Sequence, residues 1–208
     1  ENIFTTSDVG WVVGHSYIVY GPLIHGMTTI LYEGLPFRPD AGIWWKIVAE
    51  QKVSVMFSSP TAARVLKKQD PAYLKKYDLS SLRHLFLAGE PLDEPTHRWL
   101  HDALGKPVID HYWQTETGWP IMSLAPGIEP AKVKYGSPGF PVYGYDLKLL
   151  RESDASETGP NEKGVLTIAP PLPPGDEPAR PPRWPWSPRW RWIKRGSLAM
   201  AEALVLII

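Results

Sequence analysis

The chain has 208 residues and a mass of 23.4 kDa, room for one ordinary domain or two small ones. Its 22 basic and 22 acidic side chains cancel, which argues against a nucleic-acid coat or a polybasic membrane binder. With no cysteine, no basic-then-apolar leader and no apolar run near the ~20 residues that span a bilayer, disulfides, thiolate metal sites and membrane spans are excluded and a soluble cytoplasmic protein is expected.

Thr28 to Tyr32 is apolar and β-branched and ends at Glu33-Gly34, a strand and turn. Asp40 reads as the N-cap of a helix through Ile43, Trp44, Ile47 and Val48, whose spacing makes one apolar stripe. Val53 to Phe57 is a second strand, and Pro60 opens a short helix continued by Thr61 to Lys68. His84 to Ala88 is a third strand, closed by Gly89-Glu90-Pro91. Glu94 to Leu104 is an amphipathic helix stopped by Gly105 and Pro107, and Val108 to His111 is a fourth strand. Strands with little polar alternation, separated by helices, predict an α/β fold: a mostly parallel sheet with helices on both faces, over residues 1–135.

After about Lys134, glycine and proline punctuate two short apolar segments, Asp146 to Leu150 and Gly164 to Ile168. With the polar stretch from Glu152 to Asn161 between them, they predict a β-rich subdomain carrying a surface hairpin, over 136–175. Nine prolines lie between Pro170 and Pro188, and four of the ten tryptophans between Trp184 and Trp192. Residues 176–208 therefore read as a Pro/Arg/Trp-rich tail, either disordered or translated out of frame. A genuine Trp/Arg segment binding a membrane surface or single-stranded nucleic acid is the competing reading.

The densest chemistry is the run from Asp110 to Gly118: two acids, aromatics, an amide and hydroxyls in one loop after a strand. Ligands of α/β proteins gather at the carboxyl ends of strands. An aromatic there can stack on a base, a threonine can hold phosphate, and a glutamate can hold Mg²⁺ with phosphate oxygens as co-ligands. Gly89-Glu90-Pro91 ends the neighbouring strand and faces the same crevice, although by itself it is an ordinary turn. His97 and His101 are four apart on one helix but have no third ligand, so packing or solvation is expected of them. His15, beside Gly14, is expected to be structural.

These segments carry a resemblance. Ala88-Gly89-Glu90-Pro91, DHYWQTETGWP from Asp110, SDVGWVVGHSYIVYGPL from Ser7, TTILYEGLP, FSSPTAARVLKK, YGSPGFPVYGYDLKLL and NEKGVL are similar to the short-chain branch of the adenylate-forming acyl-CoA synthetases. The resemblance runs from about Ser7 to Gly175 and implies a piece of that family's large N-terminal domain. The implied reaction has two steps: ATP and a short carboxylate give an acyl-adenylate and pyrophosphate, and CoA then displaces AMP. ATP, Mg²⁺ and CoA are the implied cofactors, small molecules the implied partners. No nucleic acid or membrane is implied, and the compartment is the cytoplasm or, in a eukaryote, the mitochondrial matrix.

Residue by residue, the resemblance lays Gly89, Glu90 and Pro91 along the adenine. Asp110, His111, Tyr112, Trp113, Gln114 and Thr115 complete the nucleotide site. Asp110 would face the adenine amino group, Tyr112 would stack, Thr115 would meet the α-phosphate, and Glu116 would help hold Mg²⁺. The acyl pocket would be lined by Val12, Val13, Ala88 and Trp113, with Trp113 as its floor. Ala88 stands where acetate enzymes carry valine, which leaves room for about one more methylene and favours propionate. One methylene is worth only about 1–3 kcal/mol of discrimination.

Val13 and Phe37 depart from the acetate pattern near CoA, so no CoA contact follows at either; Ser59 replaces a usual alanine. The family's phosphate-binding loop, ribose-binding aspartate, hinge and adenylation lysine find no match here. The chain is accordingly expected to be an internal fragment with no catalytic residue of its own, inactive alone and binding nucleotide weakly at most.

Overall fold

In the computed structural model, residues 1–129 and 132–169 are described, together with the backbone of a strand at Leu204–Leu206. Five strands form one wholly parallel sheet: β1 (Asn2–Thr5), β2 (Thr28–Ile30), β3 (Val55–Ser58), β4 (His84–Leu87) and β5 (Val108–Asp110), in the spatial order β2-β1-β3-β4-β5. The register aligns Phe4 with Ile30 and Met56, Met56 with Leu85, and Leu85 with Val108.

Because side chains alternate across a strand, this register sorts them into two layers. On one face Phe4, Met56, Leu85, Leu87 and Val108 meet helices α3 (Ile43–Glu50), α4 (Pro60–Lys67) and α6 (Glu94–Leu104) in the main core. Trp44, Trp45, Val48, Leu66 and Leu100 are the helices' contributions. Each such side chain, fully buried, contributes roughly 1.5–3 kcal/mol of transfer free energy.

The opposite face holds Phe57 and Phe86, covered by a helical stretch that changes pitch: α1 (Val12–Gly14), a π-helical segment (His15–Tyr20) and α2 (Gly21–Ile24). Helical cover on both faces of a parallel sheet is the architecture expected from the sequence. Neither β1 nor the stretch from Val12 to Ile24 was anticipated. The chain also makes a short helix, α5 (Ala72–Lys75).

Helix ends follow their capping chemistry. Asp93 Oδ1 accepts the Thr96 N–H at 2.9 Å, and Gly105 closes α6 in the left-handed region at φ 60°. Ser59 caps α4 by accepting the Ala62 N–H at 3.3 Å, a use for the serine that replaces alanine. Asp40 does not cap α3. Its carboxylate accepts the Gly42 N–H at 2.7 Å and forms a turn before the helix, which starts at Ile43.

The contacts divide the chain into two units, Glu1–Val142 and Tyr143–Ile208. The sequence texture changes sooner, near Lys134, but residues 136–142 still belong to the first unit. The Gly136 N–H donates to His97 Nδ1, and β7 (Phe140–Pro141) pairs with β6 (Met122–Ser123). In the second unit β8 (Asp146–Leu150) and β9 (Val165–Ala169) run antiparallel, Leu147 opposite Ile168, across the polar connection from Glu152 to Asn161. Arg151 braces that connection by donating to the Ser156 hydroxyl and the Glu157 carbonyl.

Of the tail, only the backbone of β10 (Leu204–Leu206) is described, paired antiparallel with β9. The expectation of a disordered or out-of-frame tail, and that of a Trp/Arg binding segment, otherwise lie outside the described residues. Among the described residues no helix is long and apolar enough to cross a membrane.

Candidate functional site

Parallel strands end at one level, and a cavity of about 130 Å³ opens at the carboxyl ends of β1, β3 and β4. Val13, Ala88 and Trp113, three of the four residues expected around an acyl group, line it; Val12 packs against the same cluster without lining it. Thr6, Ser7, Phe57 and Ser58 also line it and were missed. Their only signal is the register, which sets the Thr6 N–H on the Phe57 carbonyl at 2.9 Å and the Ala88 N–H on the Ser58 carbonyl at 3.1 Å. The Thr6 and Ser58 hydroxyls pair with each other at 2.8 Å.

Gly89, at its rim, has φ +100°, a conformation that L side chains rarely adopt, although a Cβ would find open space there. The next residues are held by Arg64, whose Nη1 donates to Glu90 at 2.9 Å, Nη2 to the Pro91 carbonyl at 2.8 Å and Nε to Asp93 at 2.9 Å. The other Glu90 oxygen accepts the Thr61 N–H at the start of α4. Both oxygens of Glu90 thus have partners, so its carboxylate shapes the turn and the turn presents mainly backbone to the crevice. Hydrogen bonding from Thr61, then from Arg64, holds Glu90 below the ordinary carboxylate range. At Asp93 burial pushes upward, but bonds from Thr96 and Arg64 outweigh it and bring the carboxyl to about 2. A depressed acid contributes stability above its unfolded value near 3.9, and Asp93 loses that contribution as pH falls towards 2.

The loop after β5 brings together the remaining expected residues, unequally. Asp110 is buried, with the Leu92 and His111 N–H groups as partners, and burial raises it to about 7. The His111 imidazole is turned into the second face of the sheet, among the rings of Phe86, Phe57 and Tyr17 at 4.7, 5.6 and 6.3 Å. Burial lowers it to about 4, and its Nδ1 has no hydrogen-bond partner among the described residues. Its side chain is therefore packed among these rings.

Tyr112 is fixed by the main chain, its N–H on the Met122 carbonyl and its carbonyl accepting the Ile121 N–H, both at 2.9 Å. Gln114 reaches the Tyr112 hydroxyl only at 3.5 Å, the weak limit of a hydrogen bond. A 3₁₀ turn at Thr115–Thr117 is tied by the Gln114 N–H donating to Thr117 Oγ1 at 3.0 Å. Thr115 and Glu116 project from that turn, exposed and without a side-chain partner among the described residues. No group of three metal-ligating side chains occurs among the described residues, so Glu116 fits Mg²⁺ only in company with phosphate oxygens and water.

The histidine pair is structural. His97 is fully buried, its Nδ1 accepts from Gly136 at 3.2 Å, and its Nε2–H therefore donates to the Val108 carbonyl at 2.8 Å. His101 packs edge-on to Tyr135 at 5.6 Å. His15 is exposed, edge-on to Tyr20, and does not line the cavity.

Comparison with known proteins matches residues 1–172 to the AMP-binding enzyme family. Propionate–CoA ligases of Salmonella typhimurium and Escherichia coli are each 60% identical to this chain over 172 residues. The human mitochondrial acyl-CoA synthetase short-chain family member 3 is 44% identical over 176 residues. Each match covers 83% of this chain, which spans about a quarter of the relatives' length, 27% of the ligases and 26% of the human protein. The crystal structure of Brucella canis acyl-CoA synthetase superposes with a TM-score of 0.72 at 37% identity, over 81% of this chain and 30% of that one. A strand-end crevice on a parallel sheet, a family match over most of the residues and this shared fold identify the chain as a member of the AMP-binding enzymes, the family of the acid–thiol ligases.

Proposed function

We propose that this chain carries the adenine- and acyl-recognising part of an AMP-forming short-chain acyl-CoA synthetase with propionate as its preferred acid. The observation that carries the reading is the cavity of about 130 Å³ walled by Val13, Ala88 and Trp113, with Gly89 at its rim. Its size suits a carboxylate of a few carbons, and it adjoins the turn assigned to adenine. In this reading Gly89 to Pro91 lie along the base and Asp110 faces its amino group. Tyr112, Trp113 and Gln114 shape the slot, the His111 backbone continues it, Thr115 meets the α-phosphate, and Glu116 shares Mg²⁺ with phosphate oxygens. ATP and CoA are the co-substrates, in the cytoplasm or the mitochondrial matrix.

The test is a carboxylate titration followed by ligand-observed NMR. Ala88→Val adds two methyl groups to the cavity wall and is expected to weaken propionate about tenfold while sparing acetate. Equal loss of both acids, or no change, overturns the acyl assignment.

We further propose that the 208 residues alone bind without turnover. Among the described residues no lysine or arginine lines the cavity, so none stands ready to stabilise charge on a reacting carboxylate. Pyrophosphate exchange with propionate and ATP is expected to stay at background, and clear exchange would overturn this point.

A further inference from the structure

We infer that Tyr17, a residue that does not line the cavity, sets the length of carboxylate the cavity accepts, by holding its two aromatic walls in place. This deepens the reading of the cavity as an acyl site and rests on it.

The walls are Phe57 and Trp113. Tyr17 touches both. It stacks on Phe57 with ring centroids 4.5 Å apart and planes 22° from parallel, and meets Trp113 edge-on at 5.7 Å and 90°. On the outside Trp119 stacks on Tyr17 at 6.0 Å and 23°. Behind Phe57, His111 closes the remaining side at 5.6 Å. Neither wall can turn to a new rotamer without displacing a neighbouring ring, since a packed interior leaves no void to receive it. The geometry of the cavity is therefore set one layer behind its surface.

The backbone is built to deliver that ring. Tyr17 lies in the π-helical segment His15–Tyr20, inside an otherwise α-helical stretch, and such segments are rare. Within it the Gly21 N–H bonds to the Ser16 carbonyl, five residues back. A Cβ at Gly21 would lie 2.5 Å from that carbonyl oxygen, and one at Gly14 would lie 2.4 Å from the Asp8 carbonyl oxygen, so both ends of the segment need glycine for close approach. The Thr5 hydroxyl donates to the Tyr17 carbonyl at 2.9 Å and pins the segment to β1. An α-helical register would rotate every later side chain by about 100° per residue. In this π segment Tyr17 stacks on Phe57 and Ile18 is buried.

The aromatic stack, not the phenol, does this work. Tyr17→Phe is therefore expected to keep the chain-length preference, whereas Tyr17→Leu frees both walls and Phe57→Leu removes one. The experiment titrates acetate, propionate, butyrate and valerate into the full chain and its variants by ligand-observed NMR, with circular dichroism as the check on folding. Both leucine variants are expected to raise the butyrate-to-propionate affinity ratio about tenfold, within the span a methylene-sized change in a pocket supports. Tyr17→Phe should restore the ratio.

A purely structural role would weaken every acid alike and leave the ratio unmoved; that result overturns the inference. Should Tyr17→Leu fail to fold, Tyr17→Met, which fills more of the space but lacks the flat ring, decides on the same ratio. If the ratio stays fixed while Ala88→Val still changes the acetate-to-propionate preference, the acyl site stands and the role of Tyr17 falls. If the unaltered chain binds none of the four acids, the acyl reading itself falls, and this inference with it.

Discussion

His97→Ala is expected to destabilise the first unit by about 3–5 kcal/mol, read as the loss in urea or thermal unfolding. His97 is fully buried and ties α6 to both β5 and the Gly136 turn, through the Val108 carbonyl and the Gly136 N–H. Alanine leaves the buried Val108 carbonyl unpaired, at about 1–3 kcal/mol, loses the bond from the Gly136 N–H, and leaves a ring-sized void besides. Native domains are stable by only about 5–15 kcal/mol in total, so this is a large share. Burial also holds the imidazole below its ordinary value, more than the Val108 bond raises it. The unfolded chain therefore takes up a proton first as pH falls through about 6.5, and stability declines with it. The variant should show a shallower decline on the acid side. A loss under about 1 kcal/mol would mean that water replaces the imidazole at no cost and that the site is not closed.

Asp110→Asn is expected to act in the opposite direction, stabilising the fold at pH 8 by about 2 kcal/mol. The Asp110 carboxyl is raised to about 7 by burial, against an unfolded value near 3.9. Between those values the folded state holds a proton that the unfolded state has lost, so stability falls as pH rises from about 4 to about 7. Three units correspond to about 4 kcal/mol. The unpaired amide donors of asparagine take back about 1–2 kcal/mol of that gain. The difference in melting temperature should favour the variant at pH 8 and reverse towards pH 4, where the parent's carboxyl is neutral and only the asparagine's unpaired donors count. A constant difference across that range would show that the carboxyl is not charged at a cost. A buried carboxylate, charged at a cost at the carboxyl end of β5, is the kind of local instability that ligand sites carry. In the proposed reading, the adenine amino group is the donor that relieves it.

Much of this was legible where local chemistry and tertiary packing agree. Glu94–Leu104 has its cap at Asp93, a proline in its first turn and glycine at its end, and all three act as their residue types dictate. The parallel sheet could be read from the apolar runs at 55–58, 84–87 and 108–110, because strands covered on both faces show no polar alternation. The stretch from Val12 to Ile24 could not be read. Gly14, Gly21 and Pro22 weaken any helical propensity, and a π turn breaks the 3.6-residue period that marks a helix. The β1 strand is four residues with polar ends, too short to carry a pattern. Asp40 misled because an aspartate that caps a turn and one that caps a helix look alike in sequence. At the cavity, Val13, Ala88 and Trp113 were legible from their motifs. Thr6 and Phe57 were not, because only inter-strand register makes them neighbours. His111 was legible as part of the loop but not as a side chain turned away from it.

The strand order has a consequence for how the chain acquires its structure. The N-terminal strand is not at an edge; β1 sits between β2 and β3, and Ile3 is paired with Thr29 and with Val55, some fifty residues later. Parallel pairings of that separation carry a loop-closure cost that must be met before any contact rewards it. The β3–α4–β4–α6–β5 portion, by contrast, joins neighbours in sequence. β1 therefore lacks its β3 partner until the fold has brought residues some fifty positions apart together. Folding should begin in the β3–β5 portion, and β1 should be among the last segments to gain protection from hydrogen exchange.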